Sequence, residues 1–232
     1  MQLTGSPEIR VRRFAARADL DRALAERLSS AATDAASAIM LSGGTTPGPA
    51  FALAAERGVR AAPGLRVLYS DERHVPSTAA ASNYHLSQPL LAALALPAEQ
   101  VLRVRTELPL AAAAQDYEER LQGLLDAKVR IRLGLLGLGA DGHTASLFTP
   151  VDLEEARLHL AISVQRPDGR SAVTVTPDFL AQVEEILFVV AGADKTPALK
   201  RLHARDPSLT AWRAVARAPQ VQVWADPDAW PP

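Results

Sequence analysis

Residues 132–150, RLGLLGLGADGHTASLFTP, decide the fold class. Positions 133–138 are a short apolar run with glycines and no charge, the length and character of a strand buried on both faces of a parallel sheet. Gly139, Ala140, Asp141, Gly142 and His143 follow as a glycine-rich turn carrying one carboxylate and one imidazole. Positions 144–147 read as the opening of a helix, with Thr144 as its cap. A strand whose carboxyl end opens into such a turn is where open α/β sheets place their chemistry.

Outward from this stretch the same alternation repeats. Strands are expected at 9–14 (at a sheet edge), 38–41, 65–69, 102–104, 158–164, 172–176, 186–190 and 221–224. Leu20, Leu24, Leu28 and Ala31 share one helical face, and further helices are expected from Pro47 to about 55, over 83–94 and from about Thr196. The clearest amphipathic helix spans 110–127, with Ala114, Tyr117, Leu121, Leu124 and Leu125 inward. Positions 70–76 and 165–170 read as connecting loops. Strand then helix, repeated, predicts an α/β fold with a mostly parallel sheet and helices on both faces. With no internal repeat, low-complexity segment or linker, residues 1–232 are expected to form a single domain.

The chain length suits one large α/β domain. Its 25 basic and 26 acidic residues nearly cancel, which removes the electrostatic case for a nucleic-acid or anionic-membrane partner. No cysteine is present, so disulfides, thiol nucleophiles and thiolate metal sites are excluded. The opening MQLTGSPEIRVRRFAARADL lacks the apolar core of a signal peptide, and no run approaches the ~20 apolar residues of a membrane helix. A cytoplasmic location is expected.

Four polar turns follow apolar runs. Ser42, Gly43, Gly44, Thr45, Thr46 and Pro47 combine two glycines, three hydroxyls and the N–H groups of a helix start, a turn suited to a phosphate. It is not a P-loop, because no Gly-Lys-Ser/Thr follows at the required spacing. Asp71, Glu72 and Arg73 follow another strand; Arg73 is able to fork onto a phosphate, and Asp71 to orient a histidine or hold a substrate hydroxyl. Together with His74 these carboxylates match no metal-ligand spacing. Residues 137–142 spell G-x-G-x-x-G, but the loop lies past mid-chain, the next strand lacks an acidic end roughly 20 residues on, and Asp141 brings negative charge where a pyrophosphate would sit. Ser146, three residues after His143, has no G-x-S-x-G elbow around it. Lys195, opening a helix after the 186–190 strand, is placed to close over an anion. His143, supplied with a carboxylate that fixes its tautomer, makes a general base near neutral pH.

Taken together, LSGGTTP at 41–47, SDERHVP at 70–76 with SNY at 82–84, GLGADGHTASLF at 137–148, AGADK at 191–195 and VWADPDAW at 223–230 resemble the 6-phosphogluconolactonase family. The segments stand in the family's order and span nearly the whole chain from Ala38. This resemblance implies a Rossmann-like α/β fold shared with sugar-phosphate isomerases and deaminases. It further implies hydrolysis of 6-phospho-D-glucono-1,5-lactone to 6-phospho-D-gluconate in the oxidative pentose phosphate pathway. His143 would be the general base that activates water, with Asp71 as its partner on the family pattern; Asp71 and Asp141 are the two carboxylates able to orient it. The phosphate would be held by the Ser42, Gly43, Gly44 and Thr45 turn with Arg73 and Lys195. Family members also carry an arginine in the turn that here reads QRPDGRSAVTVT; Arg170, or Arg166, fills that role. N–H groups of the 139–142 turn would stabilise the oxyanion. Implied are no metal, no cofactor, no covalent intermediate, a small phosphosugar lactone as the sole partner, and a monomer or small homo-oligomer. Thr144-Ala145-Ser146-Leu147-Phe148 sets this chain apart from the amino-sugar phosphate deaminases of the same fold. No basic N-terminal domain is read that could serve as the DNA-binding module of a sugar-phosphate sensor.

Overall fold

Apolar pentads build the centre of the molecule: Ser37–Leu41 and Ile186–Val190 are buried at every position, as strands covered on both faces must be. The computed structural model describes residues 7–231; residues 1–6, into which the leader-peptide reading extends, and residue 232 lie outside the described residues. In chain order the strands are β1 (Ile9–Arg13), β2 (Ser37–Leu41), β3 (Arg66–Tyr69), β4 (Asp71–Arg73), β5 (Val101–Leu102), β6 (Arg130–Leu136), β7 (Ala161–Gln165), β8 (Ser171–Val175), β9 (Ile186–Val190) and β10 (Val221–Ala225). The helices are α1 (Arg17–Ala32), α2 (Gly48–Glu56), α3 (Asn83–Ala93), α4 (Leu110–Asp126), α5 (Pro150–Glu155), α6 (Pro177–Leu180), α7 (Thr196–His203) and α8 (Thr210–Val215).

Seven strands form a parallel sheet in the order β1-β10-β9-β6-β2-β3-β5, with β1 at the expected edge. Alternate residues of β2 feed opposite faces: Ala38 and Met40 pack with α4, α7 and α8, whereas Ile39 and Leu41 pack with α1, α2 and α3. In β6 the alternation is reset at Arg132. Ala38 pairs with Ile131 and Ile39 with Leu133, so one extra residue kinks the strand and both Leu133 and Leu135 face the α1–α3 layer. Among the described residues no helix is long and apolar enough to cross a membrane.

Two local expectations fail. The 70–76 segment is not wholly loop: β4 lies within it and pairs antiparallel with β8, which also pairs with β7, giving a second, three-stranded sheet. Residues 144–147 do not open a helix. Leu147 N–H donates to Thr144 O at 2.9 Å in a tight turn, Ala145 takes a positive φ of 50°, and Thr144 Oγ1 donates to Gly137 O instead of capping. The helix begins later, at Pro150, behind a Thr149/Asp152 capping box.

Candidate active site

The chain leaves β2 towards β3 and β5 on one side, and β6 towards β9 and β10 on the other, so the crevice above β2 and β6 is the topological switch point of the sheet. A cleft of about 220 Å³ opens there, room for one small ligand. Its floor is the carboxyl ends of β2, β6 and β9; its walls include the 42–47 turn, Asp71, Arg73, His143, Arg166 and Lys195.

His143 is held by the turn that carries it. Gly142, at φ +89°, donates to Gly139 O at 3.0 Å, and Gly139 N–H donates to His143 O at 2.9 Å. Asp141 Oδ1 sits 2.5 Å from His143 Nδ1 and also accepts the His143 N–H at 3.2 Å. Since an ionised carboxylate only accepts, Nδ1 carries the proton and Nε2 is the basic nitrogen. The partly buried Asp141 carboxyl is pushed up by desolvation, but the two hydrogen bonds from His143 and its charge outweigh that, so it lies below its ordinary value. The imidazole packs on Phe148, ring centroids 4.4 Å apart. Close packing makes Gly139 obligatory: a methyl there would lie 2.1 Å from His143 Nδ1 and 2.3 Å from Asp141 Oδ1. The N–H groups of Gly139 and Gly142 close the turn, so of the four expected oxyanion donors these two are engaged within it.

Asp71 lines the same cleft but does not meet His143. Its carboxylate is 5 % exposed and accepts from Ser146 Oγ at 2.7 Å and Ser70 Oγ at 2.9 Å. The carboxylate that orients the ring is therefore Asp141, and the expected Asp71–His143 pair is replaced by Asp71–Ser146. Ser146 is fully buried, which is no place for a nucleophile, and it also accepts from Arg166 Nη1 at 3.0 Å. Arg166 stacks over Phe148 at 5.1 Å and faces the cleft. Arg170 is exposed outside it; its carbonyl accepts from Arg166 N–H to close the β7–β8 hairpin. Between the two arginines left open by the sequence, the cleft contains Arg166.

The side of the cleft expected to take a phosphate draws on separate segments. Ser42, Gly43, Gly44 and Thr45 line the cleft as expected, and Arg17 Nη2 donates to Thr46 O at 2.6 Å while its Nε holds Asp21 at 2.9 Å. Arg73 reaches in from the end of β4, its Nη1 donating to Ala81 O at 2.7 Å and Asn83 Oδ1 at 3.0 Å. Lys195 lies 3.1 Å from Asp194 on a loop whose Gly192 N–H is held by buried Asp226. Asp71, Glu72 and His74 do not converge: Glu72 accepts from the N–H groups of Arg73, Asn83 and Tyr84 and from Ser82 Oγ, and His74 Nε2 contacts Leu108 O. Burial pushes the Glu72 carboxyl above its ordinary value against the pull of those donors.

A family model described as glucosamine-6-phosphate isomerases/6-phosphogluconolactonase matches residues 14–224. The chain belongs to this family. The 6-phosphogluconolactonase of Nostoc sp. is 35% identical over 173 residues, covering 72% of this chain and 71% of that protein. That of Thermotoga maritima is 31% identical over 192 residues, 80% of this chain and 82% of the relative. A crystal structure of 6-phosphogluconolactonase from Thermotoga maritima superposes with a TM-score of 0.76 at 26% identity, over 94% of this chain and 99% of that one.

Around this isomerase/lactonase-family cleft, Asn83 and Phe148 stand in the family-like segments SNY and GLGADGHTASLF but received no role from the sequence, and Arg17 was not singled out at all. Each lies outside the Gly/His turns and acts by what it touches: Arg73, the His143 ring and the Thr46 carbonyl. Asn83 opens α3 behind the Ser82 cap and is buried.

Proposed function

We propose that the protein is a 6-phosphogluconolactonase, opening 6-phospho-D-glucono-1,5-lactone to 6-phospho-D-gluconate in the oxidative pentose phosphate pathway. The observation that carries this reading is the His143–Asp141 pair at 2.5 Å, in one cleft with the cationic side chains Arg73, Arg166 and Lys195 and the glycine turn that follows β2. The family description joins isomerases with lactonases; the Thr144–Phe148 turn and the lactonase relatives favour hydrolysis.

The phosphate is held by backbone N–H groups of the 42–47 turn with Arg73 and Lys195, so binding energy comes from a part of the substrate that does not react. His143 Nε2 takes a proton from water as its oxygen adds to the lactone carbonyl, and Asp141 stabilises the imidazolium formed. Arg166, which shares the Phe148 ring with His143, offers the charge opposite the developing oxyanion. The imidazolium then protonates the departing ring oxygen, leaving the carboxylic acid, which ionises, and a free C5 hydroxyl. Atoms and protons balance with water as the nucleophile.

The test is hydrolysis of freshly generated lactone, spontaneous opening subtracted, with His143→Ala alongside. Acceleration by the wild type that is lost in the variant is the expected result. A folded wild type that gives no acceleration defeats the reading, and ammonia release from glucosamine 6-phosphate becomes the next assay.

A further inference from the structure

The side chain of Asn83 touches three separate pieces of the cleft. Nδ2 donates to the backbone oxygen of Asp71 at 2.8 Å, and Oδ1 accepts from Arg73 Nη1 at 3.0 Å. Gly43 lies so close that a methyl on its Cα would sit 1.7 Å from Oδ1, 2.1 Å from Cγ and 2.7 Å from Nδ2. The residue is 2 % exposed and its own N–H is anchored on Glu72 Oε1 at 2.7 Å. A carbonyl only accepts and a guanidinium only donates, so the amide has one orientation here. Aspartate would set lone pairs against the Asp71 carbonyl; leucine would remove both bonds and leave Arg73 Nη1 with the Ala81 carbonyl alone of these two acceptors.

We propose that Asn83 is the positioning residue of the anion side of this cleft, locking the Arg73 guanidinium and the Gly43 turn into one register before substrate arrives. The inference rests on the lactonase reading for its substrate, not for its geometry. A guanidinium on a flexible stem loses several rotamers when it binds an anion, and a fixed acceptor on Nη1 removes much of that cost in advance. Gly43 is required for the same reason: its φ is not positive, and the three atoms nearest to a methyl there, at 1.7, 2.1 and 2.7 Å, all belong to Asn83.

The experiment compares Asn83→Ala, Asn83→Asp, Gly43→Ala and the double variant Gly43→Ala/Asn83→Ala. Two readouts are used: calorimetric affinity for inorganic phosphate and 6-phosphogluconate, and kcat and KM for the lactone. Asn83→Ala is expected to weaken both ligands and raise KM roughly tenfold, with kcat within about threefold. Asn83→Asp should weaken them further, since the new charge pairs with Arg73 and repels phosphate. Gly43→Ala weakens binding by overlap, and the double variant recovers affinity relative to Gly43→Ala alone. Wild-type affinity in both Asn83 variants overturns the proposal, as does a double variant whose losses simply add. So does a matched fall of kcat and melting temperature with KM unchanged. Should Asn83→Ala not fold, the near-isosteric Asn83→Asp carries the same comparison. If the wild type binds phosphate but opens no lactone, the lactonase reading falls while the affinity pattern still decides this one.

Discussion

One carboxylate sets which nitrogen of His143 is basic. Asp141→Asn offers Nδ1 an amide that donates as readily as it accepts, so the ring is free to place its proton on Nε2, where it is useless as a base. We expect kcat to fall about 100-fold or more, with KM little changed because the phosphate donors are untouched. Wild-type kcat in Asp141→Asn would remove Asp141 from the mechanism. The Asp141 carboxyl lies below its ordinary value in the fold, so its contribution to stability is in place above the unfolded aspartate range and lost as pH falls through the lowered value. Acid unfolding of Asp141→Asn should lack that component. Gly139→Ala makes an independent test. Its methyl overlaps both members of the pair, so activity should collapse while the melting temperature moves far less.

Elements differ in how far they show through the sequence. β2 and β9 are legible because a strand covered on both faces carries an almost unbroken apolar run, 38–41 and 186–190 here. β4 is not, since Asp-Glu-Arg carries the charge of a surface loop; it is buried because Ser82, Asn83 and Tyr84 donate to Glu72 and Ser146 to Asp71, partners that lie 10 to 75 residues away. The 144–147 turn misleads for a related reason: Thr174 Oγ1, 28 residues on, takes the Ser146 N–H, and the expected cap, Thr144 Oγ1, is spent on Gly137 O. The inward face of α4 was readable from its period, yet the task of Tyr117 was not. Its buried hydroxyl accepts the Tyr69 N–H at 3.0 Å and donates to Tyr69 O at 2.5 Å, tying α4 to the end of β3 just before Asp71. Tyr117→Phe strands both backbone groups, a cost of about 1–3 kcal/mol. At about 2–4 °C per kcal/mol for a chain of this size, thermal unfolding should shift down by several degrees with far-UV dichroism unchanged. No shift would mean that water replaces the hydroxyl.

Across the whole molecule the cleft is a meeting of distant segments: the turn after β2, the end of β4, the loop after β6, the β7–β8 hairpin and the loop after β9. Sheet order is invisible in the sequence, yet the chemistry survived that blindness because each polar turn sits at a strand's carboxyl end, and a parallel sheet delivers all such ends to one edge. What the sequence left open, Asp71 or Asp141 and Arg166 or Arg170, are choices between neighbours that only packing makes. The assembly also predicts how stability responds to ligand. A phosphosugar that bridges these segments binds the folded chain and not the unfolded one, so 6-phosphogluconate at 100 times its Kd should add about 2.7 kcal/mol. That corresponds to a rise in melting temperature of roughly 5–10 °C. Lys195→Ala and Arg73→Ala should each reduce the rise at the same ligand concentration, because each removes a cation from one of the bridged segments. His143→Ala should keep most of it, since the phosphate donors remain in place. A ligand shift that survives in both cation variants but vanishes in His143→Ala would place the phosphate against the His143 turn and reverse the polarity of the substrate in the cleft.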